Sequence, residues 1–183
     1  MMRVERLAID GPVILTPDVH GDGRGILVET LREDELRAAG ISERFVQENQ
    51  SRSFAGTVRG LHFQAPPGQA KLIRAARGVI QDIAVDIRRS SSTFGRHLTV
   101  FLDDVDHRQL YLPPGFAHGF CVLSPEADVV YRLSRYYDPA LERGIAWDDT
   151  ALGIQWPEID PILSSRDRTN PLLSDLSPEL TDW

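Results

Sequence analysis

The sequence predicts an all-β protein, a jelly roll with short peripheral helices, on three observations. From about residue 57 to residue 134 the chain is a train of short segments rich in β-branched and aromatic residues. Gly and Pro punctuate those segments at short intervals, and the segment 79–87 alternates with a period of two, as a strand does. The expected strands are 58–64, 72–76, 79–87, 97–102, 108–112, 118–123 and 129–134. Turns are expected at Pro66-Pro67-Gly68, Arg77-Gly78, 90–94, 103–106, Pro113-Pro114-Gly115 and Ser124-Pro125.

Within 79–87, Val79, Ile83, Val85 and Ile87 share one face and Asp82 and Asp86 lie on the other, which predicts a core side and a polar side. Residues 32–39 are rich in helix formers and are followed by Gly40, so a short helix ending there connects two N-terminal strands. Residues 11–15 are strand-like ahead of the barrel. Beyond Ser134 the chain is rich in Pro, Asp, Trp and Tyr, and irregular segments with short helices are expected to wrap the barrel mouth. No internal repeat is visible.

At 183 residues the chain is expected to form one domain, 1–183, large enough to bury a core. Its 42% hydrophobic and 26% charged residues are those of an ordinary globular protein. A formal charge of -7 argues against a general nucleic-acid binder, whose footprint is basic. No secretory signal or membrane span is visible, and the protein is read as cytoplasmic with no membrane partner. Cys121, the single cysteine, cannot form an internal disulfide and lies in an apolar stretch, where a buried thiol is the ordinary reading. Lys71 is the only lysine among the 20 basic residues; a lysine spared where arginine has spread elsewhere points to a job for a compact, rotatable ammonium.

Of the five histidines, two sit beside glycines in apolar strands, His62 in Arg59-Gly60-Leu61-His62-Phe63-Gln64 and His118 in Pro114-Gly115-Phe116-Ala117-His118-Gly119. Glycine admits close approach of another group to the backbone, as at the mouth of a barrel. The second segment follows the cupin pattern Pro-x-Gly-x-x-His, but Val122 stands four residues on, where a metal cupin usually has a polar residue. A metal cupin also offers His-x-His and then a carboxylate, whereas His62 is followed by Phe63 and Gln64, and the next ionisable residue is Lys71. Two imidazoles and an ammonium do not make a divalent-metal site, so the mouth is expected to hold neither metal nor other cofactor.

Over nearly its whole length the sequence resembles the dTDP-4-dehydrorhamnose 3,5-epimerases of deoxysugar biosynthesis, which are cupin-type double-stranded β-helices. The resemblance rests on Asp22-Gly23-Arg24-Gly25, Asn49-Gln50-Ser51-Arg52-Ser53, the His62 and His118 segments, and Asp82-Ile83-Ala84-Val85-Asp86-Ile87-Arg88 followed by Thr93-Phe94-Gly95. It continues through Tyr131, Tyr136-Tyr137, Trp147-Asp148-Asp149, Trp156-Pro157 and Leu163-Ser164-Ser165-Arg166-Asp167. Gln50 stands where histidine is common, Ile26-Leu27 where phenylalanine is usual, and Arg168 where lysine is frequent.

The resemblance implies a substrate, a dTDP-linked 4-keto-6-deoxyhexose inverted at C3, C5 or both, and a division of labour. His62 would be the base, paired with Asp167; Lys71 would stand near the developing enolate; Tyr131 would be the acid on the far face. Taking a proton next to a ketone needs a base, a holder for the enolate oxygen and an acid, so the implied roles agree with the chemistry. Arg59 resembles a diphosphate ligand, Tyr137 an aromatic neighbour of the base, and Gln47, Asn49, His118, Glu142 and Arg168 further substrate contacts. Arg24 and Glu29 correspond to residues contributed by an adjacent subunit. The implied assembly is therefore a homodimer to which about 1–50 contribute, while about 135–183 wrap the barrel. The competing readings are a metal-dependent cupin oxygenase, against which Phe63, Gln64 and Val122 speak, and a catalytically silent sugar-nucleotide binding module, against which the presence of His62, Lys71, Tyr131 and Asp167 together speaks.

Overall fold

The computed structural model describes residues 2–176, 180 and 183. In chain order its elements are β1 (Arg3–Arg6), β2 (Val13–Thr16), β3 (Val19–Asp22), β4 (Gly25–Val28), α1 (Glu33–Ala38), β5 (Gln47–Phe54), β6 (Val58–Gln64) and β7 (Lys71–Arg77). There follow β8 (Val79–Asp86), β9 (His97–Asp103), β10 (Gln109–Leu112), β11 (Phe116–Val122), β12 (Glu126–Leu133), β13 (Glu142–Gly144) and α2 (Leu173–Leu176). Two antiparallel sheets face each other, one in the order β1-β2-β10-β7-β12-β5 and the other β13-β6-β11-β8-β9, with β3 and β4 standing apart as a two-stranded hairpin. The jelly roll expected from the sequence is present, and the seven expected strands all form, β6 over the very residues assigned to it. No helix among the described residues is long and apolar enough to cross a membrane.

Alternation along the strands builds the core between the sheets. Ile14, Ile73, Leu110 and Val129 point inward from the larger sheet against Ile80, Ala84, Leu102 and Phe120 from the smaller. The outward residues of the smaller sheet, among them Leu61, Ile83, Val85 and Ala117, are covered by Ile145, Leu152, Leu173 and Leu176 of the C-terminal segment. The expected polar side of β8 is therefore not a solvated one. Both faces of the strand are buried, Asp82 and Asp86 completely so. The alternation correctly sorted residues between faces, but it carried no information on what covers each face. Asp86 is satisfied inside by Arg88, Ser91 and Thr93, and these hydrogen bonds hold its carboxyl below the usual range although burial opposes them.

Helix α1 lies against the outer face of the larger sheet, with Leu36 packed among Val13, Leu15, Leu72 and Tyr111. Glu33, Asp34 and Glu35 fill its first turn, the favourable sign at a helix N-terminus, and Gly40 ends it at φ 87°. Strand β5 was not expected from the sequence. Its inward residues are polar, Asn49 and Ser51 because they form a cavity wall and Ser53 because it takes a hydrogen bond from Arg59, so the strand lacks the hydrophobic alternation that reveals its neighbours.

Two glycines set the distance between the strands that carry the histidines. A Cβ at Gly60 would stand 2.5 Å from the Gly119 Cα and 2.7 Å from the His118 carbonyl oxygen, and one at Gly119 would stand 2.7 Å from the Arg59 oxygen. Side chains there would push β6 and β11 apart. Their absence lets the strands close with His118 opposite His62 and an irregularity in register between His118 and Phe120.

Candidate active site

At one end of the barrel the sheets separate around a cavity of about 260 Å³. Strands β6 and β11 of the smaller sheet supply His62 and His118; strands β7 and β12 of the larger sheet supply Lys71 and Tyr131. His62 and Tyr131 thus enter the cavity from opposite sheets. Asn49 lies beside Tyr131 in register on β5 and shares the same wall.

His62 Nε2 lies 2.6 Å from Asp167 Oδ1. The carboxylate is almost wholly buried while the ring is partly open to the cavity. Burial opposes ionisation of Asp167, but hydrogen bonds from His62, Ser164 and the Gly60 backbone outweigh it and hold the carboxyl below its ordinary range. An ionised carboxylate on one ring nitrogen fixes the tautomer and leaves the other nitrogen free to accept a proton. A second such pair stands opposite: His118 Nε2 lies 2.9 Å from Asp82 Oδ2, with both residues buried.

Lys71 donates from Nζ to the His62 carbonyl oxygen at 3.1 Å. Burial pulls its ammonium down to about 8, against the attraction of Glu142 and Asp82, which favours the charged form. At the outer part of the site, Glu142 takes hydrogen bonds from Tyr137 and from Gln64 Nε2 at 3.4 Å and lies 3.5 Å from an Arg166 guanidinium nitrogen. Gln47 donates to Asn49 at 3.1 Å and accepts the Tyr137 backbone N–H at 2.9 Å, so it braces the wall without lining the cavity. Arg59 donates from Nε to Ser53 at 2.9 Å, which leaves the rest of its guanidinium for the cavity.

Of the residues singled out in the sequence, His62, Lys71, Tyr131, Asp167, Asn49, Arg59, His118, Tyr137 and Glu142 are brought together here. Arg168 is not: it is exposed and outside the lining, whereas Arg166, two residues earlier, lines the cavity. The reason is geometric, because in this segment Asp167 must face inward to meet His62 and Arg166 turns with it towards Glu142, while Arg168 turns away. The signal for Arg166 was its position directly before Asp167 in Ser164-Ser165-Arg166-Asp167. Arg24 and Glu29 lie on or beside the β3–β4 hairpin, Arg24 paired with Asp22 and Glu29 3.9 Å from Arg32, and neither lines this cavity within the chain. Ser51, Gln64 and Phe120 line it without having been singled out, since nothing in their local sequence separates a cavity wall from an ordinary strand. Among the described residues no three His, Cys, Asp or Glu side chains gather as a metal-binding group.

This is a jelly roll of the cupin type whose mouth gathers two carboxylate-anchored imidazoles from one sheet and an ammonium and a tyrosine from the other. The chain belongs to the dTDP-4-dehydrorhamnose 3,5-epimerase family, whose model matches residues 6–175. It is 45% identical over 168 residues to the dTDP-4-dehydrorhamnose 3,5-epimerase of Shigella flexneri, covering 91% of this chain and 93% of that one. To the dTDP-4-dehydrorhamnose 3-epimerase of Streptomyces niveus it is 42% identical over 176 residues, covering 95% of this chain and 85% of that one. Its fold matches, with a TM-score of 0.96 and 40% identity, the crystal structure of a dTDP-6-deoxy-D-glucose-3,5-epimerase from Legionella pneumophila in complex with dTDP-4-keto-L-rhamnose, covering 100% of this chain and 99% of that one.

Proposed function

We propose that this protein epimerises a dTDP-linked 4-keto-6-deoxyhexose next to its C4 ketone, at C3, C5 or both, without a metal. The observation that carries the reading is the pairing of His62 with Asp167 on one wall of the cavity and Tyr131 on the other, with Lys71 in the same lining. Family membership supports it as well.

In this reading His62 removes the proton from the carbon beside the carbonyl, and Asp167 holds the ring and offsets the imidazolium that forms. Charge moves onto the carbonyl oxygen, where the Lys71 ammonium and the His118 ring meet it. Tyr131 returns a proton from the opposite side, and the carbon is inverted. Arg59 and Arg166 supply cations for the diphosphate, Tyr137 an aromatic face for the thymine, and Asn49, Gln47 and Glu142 polar contacts. The remaining contacts, Arg24 and Glu29, come from the hairpin of a second copy in a homodimer working in the cytoplasm. One domain spans 1–183, with about 1–50 serving the dimer and about 135–183 enclosing the barrel.

The test is incubation with the dTDP-linked 4-keto-6-deoxyglucose in deuterated water, following exchange at C3 and C5 and product by NMR. The wild-type protein is expected to exchange and invert. Tyr131→Phe is expected to keep much of the exchange while inverted product falls, because the base still works. Equal loss of both in Tyr131→Phe would reassign the tyrosine to binding.

A further inference from the structure

Asp82 faces inward from β8 and is completely buried, yet it does not line the cavity: it stands behind the His118 ring. Its diagonal position relative to His118, one strand away on β11, is what lets the two side chains meet. Oδ2 takes the His118 hydrogen bond, and Oδ1 is buried with no hydrogen-bond partner among the described residues. A buried carboxylate with an unfilled oxygen is costly, and it is tolerated where its charge or its grip on a neighbour matters. Both are available here. The His118 ring, held at Nε2, lines the cavity, and Lys71 lies close enough for the Asp82 charge to act on it.

We propose that Asp82 is a positioning residue of this site, a buried carboxylate that locks the His118 ring in place and acts by its charge on Lys71 in the same cavity lining. The catalytic consequence rests on the epimerase reading, since it concerns the groups that would meet the enolate oxygen; the electrostatic consequence does not. Around Lys71 the charged and titratable groups are Arg59 and His62 from β6, Asp82 from β8, His118 from β11, Tyr131 from β12 and Glu142 from β13, with Tyr137, Arg166 and Asp167 in the same lining. Glu142 contributes the larger attraction, but it is also shared among Tyr137, Gln64 and Arg166. Asp82 has no arginine beside it, and its ion-pair partner among the described residues is His118.

The single lysine makes the idea directly measurable, because protein carrying 13C at lysine Cε gives one lysine resonance. In the wild type it should titrate near 8, where burial has pulled it. In Asp82→Asn the midpoint should fall by about one pH unit, as expected for the loss of one nearby charge. In His118→Asn, which leaves the Asp82 charge in place, it should not fall. With substrate, Asp82→Asn should lower kcat by about tenfold while KM and dTDP affinity stay within about twofold, the pattern of a lost transition-state contact. An unmoved lysine midpoint in folded Asp82→Asn, or one raised while the protein stays folded, or a fall in His118→Asn, would overturn the proposal, as would losses confined to KM and dTDP binding. An unfolded Asp82→Asn would show itself by a lysine midpoint near about 10.4. Asp82→Glu then decides, and must hold the midpoint within about half a unit of wild type while lowering kcat; a shift beyond that would overturn the proposal. Wild-type protein that failed to exchange substrate deuterium would sink the epimerase reading and leave the lysine titration standing. A normal exchange with an unmoved titration would sink the role of Asp82 alone.

Discussion

The cavity and the β3–β4 hairpin are built on opposite principles. The cavity sits between two sheets, and its chemical groups hold one another: Asp167 holds His62, Asp82 holds His118, and Lys71 donates to the His62 backbone. Among the described residues the hairpin's strands pair only with each other, and all but one of its eight strand residues are exposed, including Ile26 at 61% and Leu27 at 72%. Arg24, at its tip, has a side chain 91% exposed and pairs with Asp22. The difference teaches that the cavity groups are preorganised within one chain, whereas the hairpin residues find no such framework among the described residues of the same chain. In the proposed dimer that framework is the second copy's cavity.

His62→Ala is the severest way to strike the preorganised half. It should lower the rate by about 10² to 10⁴ and abolish deuterium exchange with it, since removal of a positioned base acts before any inversion. Substantial exchange surviving in this variant would hand the role of base to another group, with His118 the nearest alternative.

The hairpin half should yield a smaller effect of a different kind. Arg24→Ala should raise KM by about tenfold, the worth of one charge-assisted contact, with kcat little changed. Mixing Arg24→Ala with inactive His62→Ala protein tests where the arginine acts. If subunits exchange at random, mixed dimers form half the population, and each has one site with both His62 and an intact partner hairpin, so at substrate well below KM, where Arg24→Ala alone keeps about a tenth of the rate, about a quarter of wild-type activity returns. A mixture no more active than its components would mean that Arg24 serves its own chain or none.

The smallest effect is a pH limb. The Lys71 ammonium is lost as pH rises through about 8, so a rate that depends on the cation should be at half its plateau there and fall further in alkali. The sign follows from the lowered lysine: below about 8 the cation is present, above it the neutral amine dominates. Lys71→Met should lower the plateau and remove the limb. A limb unchanged in that variant would belong to another group, and the difference between a cavity charge and a hairpin charge would lose its titratable mark, because Arg24 stays cationic throughout.

Much of this molecule was determined by sequence alone. Strands whose inward residues are apolar announced themselves through period-two alternation and Gly-Pro turns, and β6 was readable to the residue. The candidate site stood out where a residue type is rare, as with the lone Lys71 and the glycine-flanked His62 and His118, which line one cavity. Tertiary structure alone decided what could not be local. It brought Asp167 105 residues along the chain to His62, put Arg166 and not Arg168 in the cavity lining, turned the Asp82 face of β8 into the buried interior, and made a strand of the polar β5. Alternation states only which residues share a face; whether water, a C-terminal segment or a cavity covers that face depends on segments distant in sequence, and the physics of burial acts on the face, not on the pattern.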